Sequence, residues 1–89
     1  MSTSADNITD EHVGAMGVRF VGNVLYIELN DGREIRVLME RVPWLQWLVE
    51  ATPAQREKWK VEPRGFAIYW EDLDDGIEVG RLLAMQPLK

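Results

Sequence analysis

The acidic residues between positions 71 and 78 are the first place in this sequence where chemistry could be expected. The carboxylates of this stretch are Glu71, Asp72, Asp74, Asp75 and Glu78. A calcium-binding EF-hand loop needs oxygen ligands at positions one, three and five, glycine at six and glutamate at twelve. With Gly76 at position six, positions three and twelve are Leu73 and Leu82. The spacing therefore argues against this kind of calcium site and leaves only weak surface binding of a divalent ion.

The residue types used in catalysis are scarce. The chain has no cysteine and one histidine, His12, at the edge of a polar N-terminal segment. A catalytic carboxylate pair needs burial to separate the two pKa values, whereas the acidic stretch is expected to be exposed. Gly14 and Gly17 lack the spacing of a phosphate-binding loop. We therefore expect no enzymatic activity, no catalytic or metal-binding residue and no cofactor.

Composition and charge narrow the classes of partner. The 89 residues suffice for one domain, and the net charge of −5 is unfavourable for neutralising phosphates. Binding of nucleic acid by this chain alone is therefore not expected. No apolar run approaches the roughly 20 residues that span a bilayer, so no membrane segment is expected. The absence of cysteine and of a secretion signal is typical of a cytoplasmic protein.

Aromatic and charged residues of the second half are the candidate contacts for a partner protein. Exposed tryptophan beside arginine is typical of interaction hot spots, and Trp47 is the tryptophan that we expect to face a partner. Arg56 and Trp59 are expected to share one face of a helix. Arg56 could contact a partner, but the favoured interpretation is an internal ion pair with Asp72 or Asp74. The candidate partner-binding residues are Trp47, Arg56, Trp59, Asp72 and Asp74.

The elements that would position these residues begin with three strands. Residues 1–12 are polar and predicted to be a flexible tail, and residues 13–89 are predicted to form a single domain. From Gly14 to Met39 the apolar residues alternate with period two, which indicates an antiparallel three-stranded meander. A three-residue loop at 30–32 pairs Ile27 with Ile35 and places Gly32 at a left-handed position. It also opposes Glu28 and Glu34 on the outer face.

The second half is predicted to be mainly helical. Apolar residues from Val42 to Val49 have helical spacing. Thr52, Pro53 and Gln55 form a capping box with proline at the first helical position, and this second helix is expected to run to about Lys60. A strand over 66–70 is expected to return to the three-stranded sheet, followed by the acidic loop and a short helix over 80–85. The predicted fold class is α+β, with the element order βββααβα.

These motifs together resemble the bacterial domain-of-unknown-function family 2442. The resemblance covers roughly residues 13–85 and rests on Leu25, Ile27, Leu29, Asp31-Gly32-Arg33, Pro43-Trp44-Leu45, Ala51-Thr52-Pro53, Gln55-Arg56, Trp59, Gly65, Ile68, Trp70, Leu73-Asp74, Ile77, Val79 and Leu82-Leu83. It implies a small uncharacterised α+β domain without an established activity. The Asp74-Asp75-Gly76 stretch departs from the family's more usual Asp-Glu-Asp, which weakens a specific ligand role for this loop.

The resemblance also bears on partners. Relatives stand alone or carry a C-terminal helix-turn-helix, and some sit beside another small protein, which has prompted a toxin–antitoxin suggestion. The sequence ends at Lys89, so the DNA-reading extension is expected to be absent. The leading hypothesis is a non-enzymatic protein–protein interaction module, such as the antitoxin-like partner of a neighbouring small protein. The alternatives are an accessory domain of a transcriptional regulator that lacks its helix-turn-helix, and a small enzyme using the acidic loop. Exposed strand edges leave a homodimer open.

Overall fold

A computed structural model describes residues 13–85. Its strands are β1 (Ala15–Val21), β2 (Val24–Leu29), β3 (Glu34–Leu38), β4 (Trp59–Val61), β5 (Ala67–Trp70) and β6 (Asp75–Glu78). Its α-helices are α1 (Gln46–Val49), α2 (Pro53–Arg56) and α3 (Val79–Ala84), and single turns of 3-10 helix cover Met39–Arg41, Pro43–Leu45, Pro63–Gly65 and Glu71–Leu73. The predicted tail over 1–12 lies outside the described residues.

The strands form two separate antiparallel sheets, ordered β1-β2-β3 and β4-β5-β6. The prediction of an α+β domain is confirmed. The prediction that the strand over 66–70 returns to the first sheet is wrong, because β5 pairs with β4 on one side and β6 on the other. Sequence reasoning missed both partners, since β4 is three residues long and β6 lies in the acidic stretch that was expected to be a loop.

The first sheet has the predicted hairpin register. Leu25 opposes Val37, Ile27 opposes Ile35, and Glu28 opposes Glu34. The Leu29 N–H donates to the Arg33 carbonyl at 2.8 Å, which closes a three-residue loop in which Gly32 has a φ of 91°. Placing apolar side chains on one face determines this register, because a slip of one residue would expose all of them.

The second predicted helix starts where expected and ends early. The Thr52 hydroxyl accepts from the Gln55 N–H at 3.1 Å, while the Gln55 side chain accepts from the Thr52 N–H at 3.0 Å. The capping box is thus confirmed. The helix ends at Arg56 rather than near Lys60, because Trp59 and Val61 pair with Trp70 and Ile68 of β5. The final helix is present as α3.

One hydrophobic core joins the two sheets and the helices. The first sheet contributes Ala15, Leu25, Ile27, Leu29, Ile35 and Val37, and the second contributes Ile68, Trp70 and Ile77. The remaining chain adds Met39, Val42, Leu45, Leu48, Val79 and Leu82. Trp70 is fully buried and is the largest of these side chains. Such a bulky side chain fills the space between the two small sheets, which neither sheet could bury by itself.

The two sheets meet in a tight backbone contact between Gly14 and Gly65. A Cβ added at Gly65 would lie 2.7 Å from the Ala15 carbonyl oxygen, and one added at Gly14 would lie 2.6 Å from the Arg64 carbonyl oxygen. Gly65 also has a φ of 73°, which side-chain-bearing residues rarely adopt. The start of β1 can therefore pass the turn before β5 only because both positions are glycine.

Replacing Gly65 tests this contact. Gly65→Ala should lower the free energy of unfolding by about 2–4 kcal/mol, from the left-handed backbone and from the clash with the β1 backbone. Gly80→Ala is the matched control, because nothing lies within 4 Å of its added Cβ. As Gly80 lies in α3, the control should be neutral or stabilising by about 0.5 kcal/mol. Urea unfolding followed by tryptophan fluorescence measures both, and equal effects would contradict the packing argument.

Candidate functional site

Arg56 makes internal hydrogen bonds instead of presenting its guanidinium to a partner. Its Nε donates to the Leu48 carbonyl at 3.0 Å, and its Nη2 donates to the Val49 carbonyl at 3.1 Å. Nη1 donates to the Gly22 carbonyl at 2.9 Å, and Nη2 also donates to Asn23 Oδ1 at 2.8 Å. The side chain thus joins the end of α1 to the β1–β2 turn.

Two aromatic residues complete the surroundings of Arg56. Its guanidinium carbon lies 5.4 Å from the centre of the Phe20 ring, and its backbone carbonyl accepts from Trp70 Nε1 at 2.9 Å. The expected ion pair of Arg56 with Asp72 or Asp74 is wrong. The planar guanidinium fork matches several converging carbonyls, which the turn and the helix end supply.

Trp47 is packed against the core. Its indole N–H donates to the Trp44 carbonyl at 2.9 Å, and its ring meets Trp70 edge-on at 5.6 Å between centres. The residue is half-buried. Trp44 is in turn covered by Arg81, whose guanidinium carbon lies 3.8 Å from the centre of the ring. The tryptophan expected to face a partner therefore shares its surface between the core and solvent.

Asp72 and Asp74 are held by neighbours within the second sheet. Lys58 Nζ lies 3.4 Å from Asp72 Oδ2, and Lys60 Nζ lies 3.7 Å from Glu71 Oε1. The Tyr69 hydroxyl donates to Asp74 Oδ1 at 2.7 Å. Lys58 and Lys60 thus partly neutralise the acidic residues Asp72 and Glu71.

The Tyr69–Asp74 hydrogen bond changes the ionisation of the phenol. It raises the pKa of Tyr69 above the ordinary value, together with desolvation and the charges of Asp74, Glu71 and Asp75. The cause is that a carboxylate accepts a hydrogen bond from the neutral phenol and repels the phenolate.

The candidate site is a pocket at the seam between the two sheets, which we call the seam pocket. It has a volume of about 310 Å³ and is lined by Gly17, Val18, Arg19, Tyr26, Glu28 and Glu34 of the first sheet and by Trp59 of β4. It lies here because β4 runs beside the edge strand β1. Of the five predicted partner-binding residues, Trp59 is the one that lines the pocket.

The pocket opens onto the face of the first sheet that points away from the core, which we call the outer face. Opposed residues of antiparallel strands point to the same side, so the registers define three rows across β1, β2 and β3. The rows are Gly17–Glu28–Glu34, Arg19–Tyr26–Arg36 and Val21–Val24–Leu38. Val21 and Leu38 are 56% and 40% exposed, so the third row presents apolar surface to solvent.

Charges within the pocket are unevenly compensated. Arg19 Nη2 lies 3.4 Å from Glu34 Oε2, with both side chains exposed, and the Arg19 guanidinium carbon lies 4.0 Å from the centre of the Tyr26 ring. Glu28 opposes Glu34 and forms no ion pair with another described residue. Its Oε1 lies 3.3 Å from where a Cβ on Gly17 would be. Two carboxylates beside two aromatic rings suit a cationic group better than an anion.

Sequence reasoning missed the six pocket residues of the first sheet, of which Arg19, Tyr26, Glu28 and Glu34 carry charged or aromatic side chains. The signal was present in the predicted meander, since a correct register already opposes Glu28 to Glu34 on the outer face. The position of Trp59 beside this face had no such signal, because it depends on how the second sheet packs against the first.

Two further features of residues 13–85 concern metal ions and membranes. No group of three or more histidine, cysteine or acidic side chains in this range is arranged to hold a metal ion. None of the helices in the range has the length and apolar character needed to cross a membrane.

The fold and pocket can be compared with known proteins. The family model described as "Protein of unknown function (DUF2442)" matches residues 15–86. The chain belongs to this family. None of the functionally curated proteins matches the sequence. The family assignment confirms the resemblance of the sequence and assigns no chemistry to the seam pocket.

Solved structures share the DUF2442 architecture. A protein of unknown function from Rhodospirillum rubrum superposes with a TM-score of 0.67 at 20% identity, covering 81% of this chain and 86% of that chain. An uncharacterised protein from Chromobacterium violaceum, solved by solution NMR, gives a TM-score of 0.69 at 22% identity, covering 93% of this chain and 77% of that chain. At these identities the likeness supports the fold alone.

Replacing Arg56 by lysine tests its structural role. Arg56→Lys keeps the charge but cannot satisfy four converging acceptors, so the free energy of unfolding should fall by about 1–3 kcal/mol. The expected decrease in Tm is about 5–15 °C in a domain of this size. Arg36→Lys is the control, since Arg36 is exposed and makes no ion pair with another described residue. If thermal unfolding followed by circular dichroism gave the same Tm for both variants, the role assigned to Arg56 would be wrong.

The phenol of Tyr69 can be titrated directly. In a Tyr26→Phe background Tyr69 is the remaining tyrosine, and its absorbance should report a pKa above 10.0. Asp74→Asn should lower that pKa, whereas Asp72→Asn should change it less. Because the folded-state pKa is the higher one, this bond stabilises the fold fully below the unfolded-state pKa and is lost as pH rises through the folded-state pKa. An unchanged titration in Asp74→Asn would contradict the assignment.

Proposed function

We propose that this domain is a non-enzymatic cytoplasmic protein–protein interaction module. It binds an extended segment of a partner protein on the outer face and holds a lysine or arginine side chain of that segment in the seam pocket. The observation that carries the proposal is the seam pocket itself, in which Glu28 and Glu34 lie beside the aromatic rings of Tyr26 and Trp59.

The pocket favours a cation for two reasons. Its two carboxylates face one arginine, and Glu28 has no ion pair with a described residue, so a positive charge from a partner would add a missing interaction. The Tyr26 ring already has Arg19 at 4.0 Å, whereas no described arginine or lysine lies over the Trp59 ring, so Trp59 is the aromatic surface that would attract a partner's cation. A partner lysine or arginine would gain both contacts, with the chain's net charge of −5 favouring encounter.

The outer face also sets the spacing of the partner segment. Successive rows are two residues apart along each strand, so the acidic row and the apolar row are separated by about 13 Å. An extended segment laid along the strands would cover this distance with a basic residue and an apolar residue four positions apart. Val21 and Leu38 would then lose exposed apolar surface to the partner.

The family resemblance suggests a biological form of this function, in which the domain is the antitoxin-like partner of a neighbouring small protein. The alternative, an accessory domain of a transcriptional regulator, would be supported by a basic surface able to contact DNA phosphates. Lys58 and Lys60 lie beside Asp72 and Glu71, so a phosphate bound by either lysine would meet an acidic side chain next to it. The ion pairs therefore favour the protein-binding form.

Peptide titration tests the proposal. The probe is a synthetic capped peptide with arginine and leucine four residues apart in a glycine–threonine spacer, and binding is followed by NMR chemical shifts of the domain. The expected result is saturable shifts confined to the outer face. Glu28→Gln should weaken the affinity about tenfold, through loss of the unpaired carboxylate.

Matched controls distinguish a site from general charge attraction. Glu50→Gln removes the same charge from an exposed residue at the end of α1 and should leave the affinity within about twofold. Trp59→Ala should weaken binding, and the peptide with arginine replaced by glutamine should not bind. An equal loss in Glu50→Gln, or no saturable binding, would overturn the proposal. Salt-sensitive binding of double-stranded DNA in a gel shift would favour the regulator alternative instead.

A further inference from the structure

Strand β3 is an open sheet edge. Within residues 13–85 it pairs with β2 alone, and its register is regular throughout. The opposite edge strand β1 contains a bulge between Ala15 and Gly17 and lies beside β4 and the turn Pro63–Gly65. Proteins usually protect an open edge with proline, a bulge or charged side chains. The sequence Glu34–Leu38 has neither proline nor a bulge, and its two charged side chains, Glu34 and Arg36, have opposite signs.

The hydrogen-bond pattern shows which groups of β3 point outward. The Leu29 N–H donates to the Arg33 carbonyl, so Arg33 belongs to a hydrogen-bonded pair with β2. Such pairs recur at every second residue of an antiparallel ladder, which places Ile35 and Val37 in the same class. The backbone N–H and C=O groups of Glu34, Arg36 and Leu38 therefore point toward the open edge.

We propose that β3 pairs antiparallel with β3 of a second copy of this chain, with Ile35 at the twofold axis. This register places Glu34 opposite Arg36 of the second copy, twice in each dimer. The two adjacent registers that also pair the outward-pointing backbone groups are less favourable. Centring on Arg36 opposes arginine to arginine, and centring on Glu34 opposes glutamate to glutamate. Opposed like charges destabilise a strand pair and opposite charges stabilise it.

The charges within one copy support this register. Glu34 opposes Glu28 on the outer face and has a single ion pair, with Arg19 at 3.4 Å. Arg36 is exposed and forms no ion pair with a described residue. The dimer gives Arg36 a directly opposed acidic partner and gives Glu34 a second basic partner. It joins the two β1-β2-β3 sheets into one six-stranded sheet with a continuous outer face.

Charge reversal tests both the dimer and its register by sedimentation velocity. At about 0.5 mM the wild-type chain should contain dimer, since small edge interfaces dissociate in the micromolar to millimolar range. Glu34→Arg and Arg36→Glu should each raise the dimer dissociation constant at least about tenfold. An equimolar mixture of the two variants should form a heterodimer, because every opposed pair is then complementary. The double variant Glu34→Arg/Arg36→Glu should again form a homodimer.

A proline variant distinguishes the contribution of backbone pairing at the β3 edge from that of the charged side chains. Arg36→Pro removes an N–H that points outward and should abolish dimerisation, whereas Arg36→Ala should only weaken it. Circular dichroism and a thermal unfolding curve for each variant verify folding. A monomeric wild-type chain, single reversals that dimerise normally, or a mixture that fails to assemble would each overturn the proposal. Assembly is read without any peptide, so the result is independent of partner binding in the seam pocket.

Discussion

The arrangement of the whole domain depends on the hydrogen bonds of the Arg56 guanidinium, which join elements that are distant in the sequence. One side chain binds the carbonyls at the end of α1, the Gly22 carbonyl of the β1–β2 turn and the Asn23 side chain. Its own carbonyl accepts from buried Trp70 of the second sheet. Two short helices and two small sheets cannot orient one another by area alone, since short helices are marginal without tertiary contacts. A planar group with several donors supplies that orientation.

The site follows from this arrangement. With Trp70 in the core and Gly14 against Gly65, β4 is brought beside β1, and Trp59 closes one side of a pocket on the outer face. The first sheet packs its other face against the core, so its charged rows remain in solvent. The surface available to a partner is therefore the side of the first sheet that folding leaves uncovered.

The ion pairs near β4 and the charges of the outer face differ in whether each side chain has a partner. At the second sheet and its connecting turns, Lys58 and Lys60 lie beside Asp72 and Glu71, and Tyr69 donates a hydrogen bond to Asp74. On the outer face, Glu28 and Arg36 have no ion pair with a described residue. A partner segment with a basic residue would pair with Glu28, and Glu34 of a second copy of the chain would pair with Arg36. Both interactions use the same sheet, one through its face and the other through its edge.

The sequence alone determined the features that depend on neighbouring residues. Period-two alternation and Gly32 specify the first hairpin and its register, Thr52 and Gln55 specify the capping box, and the motifs specify the family. Tertiary structure decided the rest. Trp59 belongs to a strand because it pairs with Trp70. Arg56 donates hydrogen bonds to the Gly22 carbonyl and to Asn23 Oδ1, which are 34 and 33 residues away in the sequence. Local patterns encode turns and caps, whereas the pairing of a three-residue strand and the choice among distant acceptors depend on contacts that exist only once the core has formed.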